Sequence, residues 1–366
     1  MRNALVLVAL VSAPAAVFAG NGEKADQGPE IYGWTNLSLN SVNYEHHEGA
    51  SNDGELTLTN NTSAIGIRGT EQLKPGLKAV YQWEAGVYWN QHGDNRGLTN
   101  LQRDSFVGLD GRYGRLVAGR LPLSNQHAQK SNLFKHQLGT SAEFMAFGGA
   151  GMTDASLIPS RISNALRYTV PLAKNIKGSV TYSAEGNDNS DQVSRNEEED
   201  GVGGQLSYKD NLYGVSLTIF EDDLVGAEDA MVALNGSYNY GGGKIVGEYA
   251  DLGEANAATL GATYRLPNGR FKAQVTTTHD YGDGTHIDDP SMVALGYDHF
   301  LSKSTKLYAV AAAGEDGATI TGYGYDSSEG SLEGTTGGGL GEFRSRTSAQ
   351  DQEDSVGLAL GMRHTF

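Results

Sequence analysis

Four stretches of this chain alternate strictly. Tyr213, Val215, Leu217 and Ile219 are interleaved with Gly214, Ser216, Thr218 and Phe220. Val232, Leu234, Gly236, Tyr238 and Tyr240 are interleaved with Ala233, Asn235, Ser237 and Asn239. Ala258, Leu260, Ala262 and Tyr264 alternate with Thr259, Gly261, Thr263 and Arg265, and Phe271, Ala273, Val275 and Thr277 with Lys272, Gln274, Thr276 and Thr278. Side chains on a strand point alternately to opposite faces, so each run is a strand of roughly ten residues with one apolar face and one small, polar or charged face. On this register Leu217 and Leu260 face hydrocarbon, whereas Ser216 and Thr259 face water. A soluble antiparallel sandwich could use such strands too. The connections decide against it.

Residues 209–211, 241–243, 266–269 and 301–304 are short turns, and between them lie long polar segments at 44–57, 121–160, 187–200, 281–290 and 314–353. Loops beyond roughly 15 residues are uncommon in compact soluble domains. Short turns at one end and long loops at the other are the plan of an outer-membrane barrel. The apolar faces also end repeatedly in aromatics (Tyr208, Tyr213, Tyr240, Tyr249, Tyr264, Tyr297, Phe366), as membrane-interface girdles require. Strands are expected at 30–43, 58–71, 76–90, 102–110, 113–120, 161–170, 177–186, 201–209, 212–221, 230–240, 243–251, 256–265, 271–280, 291–300, 305–313 and 354–366. These sixteen, an even number, put both termini at the short-turn end. The expected fold is all-β: a 16-stranded antiparallel transmembrane β-barrel. A barrel of this size leaves an aqueous channel, where eight strands would fill their interior with side chains.

Composition agrees with this and excludes other classes. The 366 residues include 50 Gly, 8 Pro and 18 Tyr, and only 38% are hydrophobic. A bundle of membrane helices needs repeated runs of roughly 20 apolar residues, which are missing here. The formal charge of −17 is the wrong sign for binding nucleic acid. The absence of Cys removes disulfide scaffolds, cysteine zinc sites and thiol nucleophiles. Residues 1–19 read separately: Met1 and Arg2 form a positive end, Ala4 to Val11 an apolar stretch, and Val17-Phe18-Ala19 a cleavage pattern before Gly20. This is the pattern of a secretory signal peptide, and it leaves 20–366 as the barrel.

At this point the chain resembles the Gram-negative general porins, nearest the neisserial and β-proteobacterial type. Ile31-Tyr32-Gly33 opens the first strand, Ile65-Gly66-Ile67-Arg68-Gly69 and Glu71 lie in the second, and Tyr81-Gln82-Trp83-Glu84 in the third. Ser105-Phe106-Val107-Gly108-Leu109 follows in the fourth. Gly119-Arg120 precedes the third loop, and Arg161-Ile162-Ser163-Asn164-Ala165-Leu166-Arg167-Tyr168 with Pro171 follows it. Gly361 to Phe366 matches the family's last strand, which ends in Phe. The likeness covers essentially the whole mature chain. It implies a homotrimer in the outer membrane of a Gram-negative bacterium, among lipid and lipopolysaccharide. Each barrel would fold its long third loop into the pore.

In a passive filter the residues that matter narrow the lumen, because a charged ring in confined, poorly screened space sets which ions pass. Pleat parity puts Lys78, Gln82 and Glu84 inside the third strand, with Tyr81, Trp83 and Val87 outside. Arg120 shares a face with Leu116 and Ala118. An outward set of Ile162, Leu166, Tyr168 and Val170 leaves Arg161, Ser163 and Arg167 facing the channel. Arg120 and Arg161 also match positions resembling the family's basic ladder, and Ala142-Glu143-Phe144 with Gly148-Gly149 resembles its acidic loop motif. Glu143 and Asp154, the only carboxylates in 121–160, are therefore expected opposite the arginines, while Lys130 and Lys135 make the same loop locally basic. Ala64 and Trp34 stand where related porins often have Arg and Lys. Mild selectivity leaning toward cations is the expectation. The resemblance also implies that the terminal Phe366 is read by the outer-membrane assembly machinery.

Other motifs lead nowhere specific. Asp188, Asp191 and Glu197-Glu198-Glu199-Asp200 lack the spacing and Gly of a calcium loop. His46-His47-Glu48 fails the zinc-protease spacing, and Gly241-Gly242-Gly243-Lys244 is not a phosphate loop. No nucleophile accompanies His279-Asp280. No cofactor or metal and no enzymatic activity is expected. A diffusion porin for ions and small hydrophilic solutes fits best. A substrate-preferring channel would add an aromatic slide, for which Trp34 and Tyr88 are the candidates. A structural or adhesive barrel would need a plug or passenger domain, and no segment is long enough for either.

Overall fold

The computed structural model describes residues 28–46, 56–89, 99–100, 103–123, 126–147, 160–184, 200–221, 230–253, 255–279, 289–316, 318, 320 and 352–366. The expected signal peptide and Asp154 lie outside them. The first strands are β1 (Glu30–His46), β2 (Thr57–Asn60), β3 (Ala64–Lys74), β4 (Leu77–Val87), β5 (Thr99–Asn100), β6 (Ser105–Gly111), β7 (Gly114–Pro122), β8 (Arg161–Ala173) and β9 (Ile176–Ser183). They are followed by β10 (Gly201–Lys209), β11 (Tyr213–Phe220), β12 (Met231–Asn239), β13 (Gly243–Asp251), β14 (Asn256–Leu266), β15 (Gly269–His279), β16 (Ser291–Phe300), β17 (Thr305–Glu315) and β18 (Gln352–Thr365). β2 with β3, and β5 with β6, are two halves of single wall strands, so eighteen segments make a wall of sixteen. Each strand pairs antiparallel with its sequence neighbour, and β1 pairs with β18 to close the barrel.

The period of two builds the outer face. Leu217, Leu260, Leu295, Leu358 and Leu360 all point outward and are exposed. Leaving such side chains in water forgoes roughly 25 cal/mol for each Å², so the band is a hydrocarbon-facing surface. Aromatics border it at the short-turn end, where Tyr213 stacks on Tyr238 at 5.2 Å and Phe271 meets Tyr297 at 4.9 Å.

The inner face is covered on one side. The third loop, between β7 and β8, turns into the lumen and carries the short helix α1 (Ala142–Phe147). Phe134, Leu138, Phe144 and Met145 are fully buried in a cluster with Met231, Met292, Ala294 and Ala312 of the wall. Glycine allows this approach. A Cβ at Gly296 would sit 2.7 Å from the Phe134 ring, and one at Gly139 (φ +75°) 2.5 Å from Ala294 Cβ. The loop is also tied to the start of the last long connection, between β17 and β18, since Gly139 N donates to Ile320 O at 2.7 Å.

Two expectations are corrected here. Ser216 and Thr259 do face inward, but both are buried rather than in open water. Ser216 accepts from Lys130 of the third loop at 3.0 Å, and Thr259 Oγ1 lies 2.8 Å from Thr276 Oγ1. Ile162, placed on the lipid face by simple parity, is fully buried. Gly119 pairs with Ala165 but Leu121 with Ile162, so β8 holds one extra residue, accommodated at Asn164 with φ +49°. A bulge of this kind reverses which face the following residues occupy.

Candidate pore constriction

Two interruptions of the wall bring side chains together beside the third loop. β5 stops at Asn100 and β6 starts at Ser105, so Arg103 and Asp104 leave the ladder and reach their neighbours. Arg103 Nε donates to Glu84 Oε1 at 2.5 Å, and Glu84 also accepts from Tyr32 OH at 2.9 Å. Asp104 accepts from Arg161 Nε, and Arg120 Nη1 donates to Ser163 Oγ at 2.7 Å. The second interruption lies at residues 61–63, where Thr62 adopts φ +56°. Side chains replace the missing ladder bonds: Trp34 Nε1 donates to Thr62 O at 2.8 Å, and Asn36 N to Ser63 Oγ at 2.9 Å. The guanidinium groups of Arg103 and Arg363 lie 5.3 and 5.2 Å from the Trp34 ring.

The tip of the third loop meets this wall. His136 O accepts from Asn36 Nδ2 at 2.7 Å, and its ring stacks on Trp34 at 6.4 Å. Burial lowers the Lys135 ammonium from its ordinary value, and the charges of Arg363, Arg103 and Arg161 lower it further, with only Asp104 opposing. His136 is pushed well below 6.5, first by burial and then by Lys135, Arg103, Arg363 and Arg161. It is therefore neutral at pH 7. Lys135, Arg103, Arg120, Arg161 and Arg363 thus gather around Glu84 and Asp104.

The expected site residues divide on this geometry. Glu84 and Arg161 are in the cluster, and Arg120 is linked to it through Ser163. Arg167 points inward but is 8% exposed, with Nε on Thr181 Oγ1 at 2.7 Å and Nη2 on Pro122 O at 2.6 Å. It braces the end of β7. Lys78 lies opposite Asp110 near the short turn, six residues or about 20 Å along β4 from Glu84. Glu143 belongs to α1, but its side chain is outside the described residues. Phe366 is exposed at the seam, exchanging backbone bonds of 3.0 and 3.1 Å with Gly33.

Sequence reasoning missed Arg103 and Asp104, because a continuous strand was expected across 102–110. It also missed a second cluster, in which Arg270 (2.5 Å), Lys306 (3.1 Å) and Lys272 (3.4 Å) surround the fully buried Asp298. Lys272 caps the Phe134 ring of the loop at 4.2 Å and donates to Gln137 Oε1 at 2.5 Å. A signal was present, since Lys272 falls on the inward face of the alternation.

A profile of the Gram-negative porins matches residues 4–319. Outer membrane porin protein 32 of Delftia acidovorans is 27% identical over 390 aligned positions, covering all of both chains. Major outer membrane protein P.IB of Neisseria gonorrhoeae is 24% identical over 86% of this chain and 93% of its own length. Among solved structures, the anion-selective porin from Comamonas acidovorans superposes with a TM-score of 0.70 at 23% identity, over 93% of this chain and all of that one. With a closed sixteen-stranded wall, a loop folded into its lumen and a family match along most of its length, the chain belongs to the Gram-negative porins and forms a water-filled channel through the outer membrane.

Proposed function

We propose that this channel prefers small hydrophilic anions, reversing the cation-leaning selectivity expected from sequence. The observation that carries the proposal is Lys135 at the loop tip, which lines one cavity with Arg363 and precedes His136, stacked on the Trp34 ring that Arg103 and Arg363 flank. Charges bordering a narrow path act on a passing ion with little screening, whereas charges a Debye length away are largely screened at physiological salt. Arg103 and Arg161 are each paired with one carboxylate, and among the described residues Lys135 and Arg363 have none within ion-pair distance. The name of the Comamonas porin points the same way. The Arg120 and Arg161 side chains then line the constriction and Arg167 buttresses it, with Glu143 and Asp154 as further candidates on the loop. As the family resemblance implies, the working unit is a homotrimer among outer-membrane lipid and lipopolysaccharide, and the terminal Phe366 serves its insertion. The test is the zero-current potential in planar bilayers under a KCl gradient. An anion-preferring potential that moves toward cations in Lys135→Gln is the expected result. A cation-preferring wild type, or a substitution without effect, refutes the proposal.

A further inference from the structure

We infer that the lumen holds a discrete binding site for a compact polyvalent oxyanion, of the di- or triphosphate or tricarboxylate class, on the short-turn side of the third loop. The inference rests on the anion preference proposed above and deepens it from a field to a site. A cavity of about 410 Å³ lies between the loop and the wall of β12–β18. That volume is within the roughly 300–1,000 Å³ of small-molecule sites. Seven basic side chains line it and no carboxylate does, with Lys130 and Lys135 on the loop and Lys244, Arg265 and Arg363 among those on the wall. Among the described residues, Lys244, Arg265 and Arg363 have no carboxylate within ion-pair distance. Asp298, behind the lining, is already shared by Arg270, Lys272 and Lys306.

Two further donors are left over. Gln137 Nε2 and Arg270 Nε are buried without a partner, and both residues line this cavity. Buried donors in native structures nearly always find an acceptor. Both atoms are closed off from the open space of the cavity, so an anion with several oxygens would reach them only with a small shift of the Gln137 and Arg270 side chains. It would also offset the mutual repulsion of the lining cations, a term that grows with the product of the charges and so favours a polyvalent anion over chloride.

Position in the barrel gives the site a side. Lys244 directly follows one short turn, Arg265 precedes the next, and Lys306 follows a third, all at the end where the termini lie. The loop stands between this cavity and the long-loop mouth. An anion arriving from the short-turn side reaches the cavity without passing the constriction, whereas one from the other side must cross it.

The experiment uses inorganic pyrophosphate as the probe in single-channel recordings in KCl. Added on the short-turn side, it should block saturably, at lower concentration than on the opposite side. Lys244→Gln and Arg265→Gln should each raise the half-blocking concentration roughly tenfold, while Lys303→Gln, on an exposed turn outside the cavity, should not. No block, or a block indifferent to both cavity substitutions, overturns the inference. Should either variant insert poorly, thermal unfolding of the wild-type protein in detergent decides. Pyrophosphate should raise the midpoint above that in KCl of matched ionic strength, and an unchanged midpoint counts against the site. The zero-current potential without pyrophosphate is read in parallel. A channel that prefers anions yet ignores pyrophosphate sinks this inference alone, and a cation-preferring channel sinks the reading beneath it.

Discussion

Lys130 makes the electrostatics of the lumen measurable at a single residue. Burial lowers its ammonium from 10.5 to about 8, only partly offset by the charge of Glu248, while Nζ donates to Ser216 at 3.0 Å. Below pH 8 the loop therefore carries this charge, and as pH rises through 8 the lumen loses it. Anion preference should fall between pH 7 and pH 9, and Lys130→Gln should abolish that step in the zero-current potential. The same pH dependence in wild type and variant would show that Lys130 does not act on the permeating ion. His136, already neutral at pH 7, contributes nothing over this interval. For stability the sign is fixed by linkage. The unfolded chain binds the Lys130 proton up to about 10.5 and the folded chain only to about 8, so this residue's contribution favours folding progressively more as pH rises between those values. None of this is readable from sequence, which shows a lysine in a loop but not the wall that desolvates it.

At the scale of elements, alternation carried the fold a long way. The inward and outward faces of β11, β12, β14 and β15 are those the period of two assigns, and a substitution tests them directly. Arg near the bilayer midplane costs roughly 2–4 kcal/mol on a lipid face, so Leu260→Arg should lower the unfolding midpoint in lipid well below that of Gln205→Arg, which points inward and is partly exposed. Equal midpoints would mean the register is wrong. Where alternation failed, a local irregularity intervened: the bulge at Asn164 returned Ile162 to the interior, and the gap before Ser105 freed Arg103 and Asp104. Such breaks depend on backbone geometry against a neighbouring strand, which a single sequence does not display. The placement of the third loop was expected from the family resemblance, but its anchors were not legible. His127 Nδ1 and Glu248 Oε1 lie 2.8 Å apart, both fully buried, 121 residues apart in the chain. Glu248→Ala would leave the imidazole unpartnered, at roughly 1–3 kcal/mol, and free one end of the loop. Higher single-channel conductance with more open-channel noise is expected. An unchanged conductance and noise spectrum would show that the apolar contacts of Phe134 and Phe144 hold the loop unaided.

For the whole molecule, the charge of −17 and a basic lumen are compatible because the carboxylates are unevenly placed. Segments 44–57, 187–200, 281–290 and 314–353, which connect strands at the end opposite the short turns, hold 21 of the 44 carboxylates against three arginines. Those segments sum to −18, so the rest of the chain sums to +1. In sequence the acidity belongs to the connections at one end and the third-loop cluster has its own sign, so which of them an ion feels depends on screening. The Debye length is about 10 Å at 0.1 M salt and about 30 Å at 0.01 M. At the higher concentration the rim is cut off from the constriction and Lys135 with its neighbours should govern. At the lower one the rim's negative field reaches inward, but only if the dilute solution bathes that end. Zero-current potentials across a tenfold gradient should therefore differ with direction. Anion preference should be weaker with 0.01 M salt at the long-loop mouth than with 0.01 M salt at the short-turn mouth. Raising both sides tenfold should shrink the difference. Potentials of equal magnitude in both directions at low salt would mean that the rim carboxylates do not reach the permeation path, and that the net charge of the chain has no part in its selectivity.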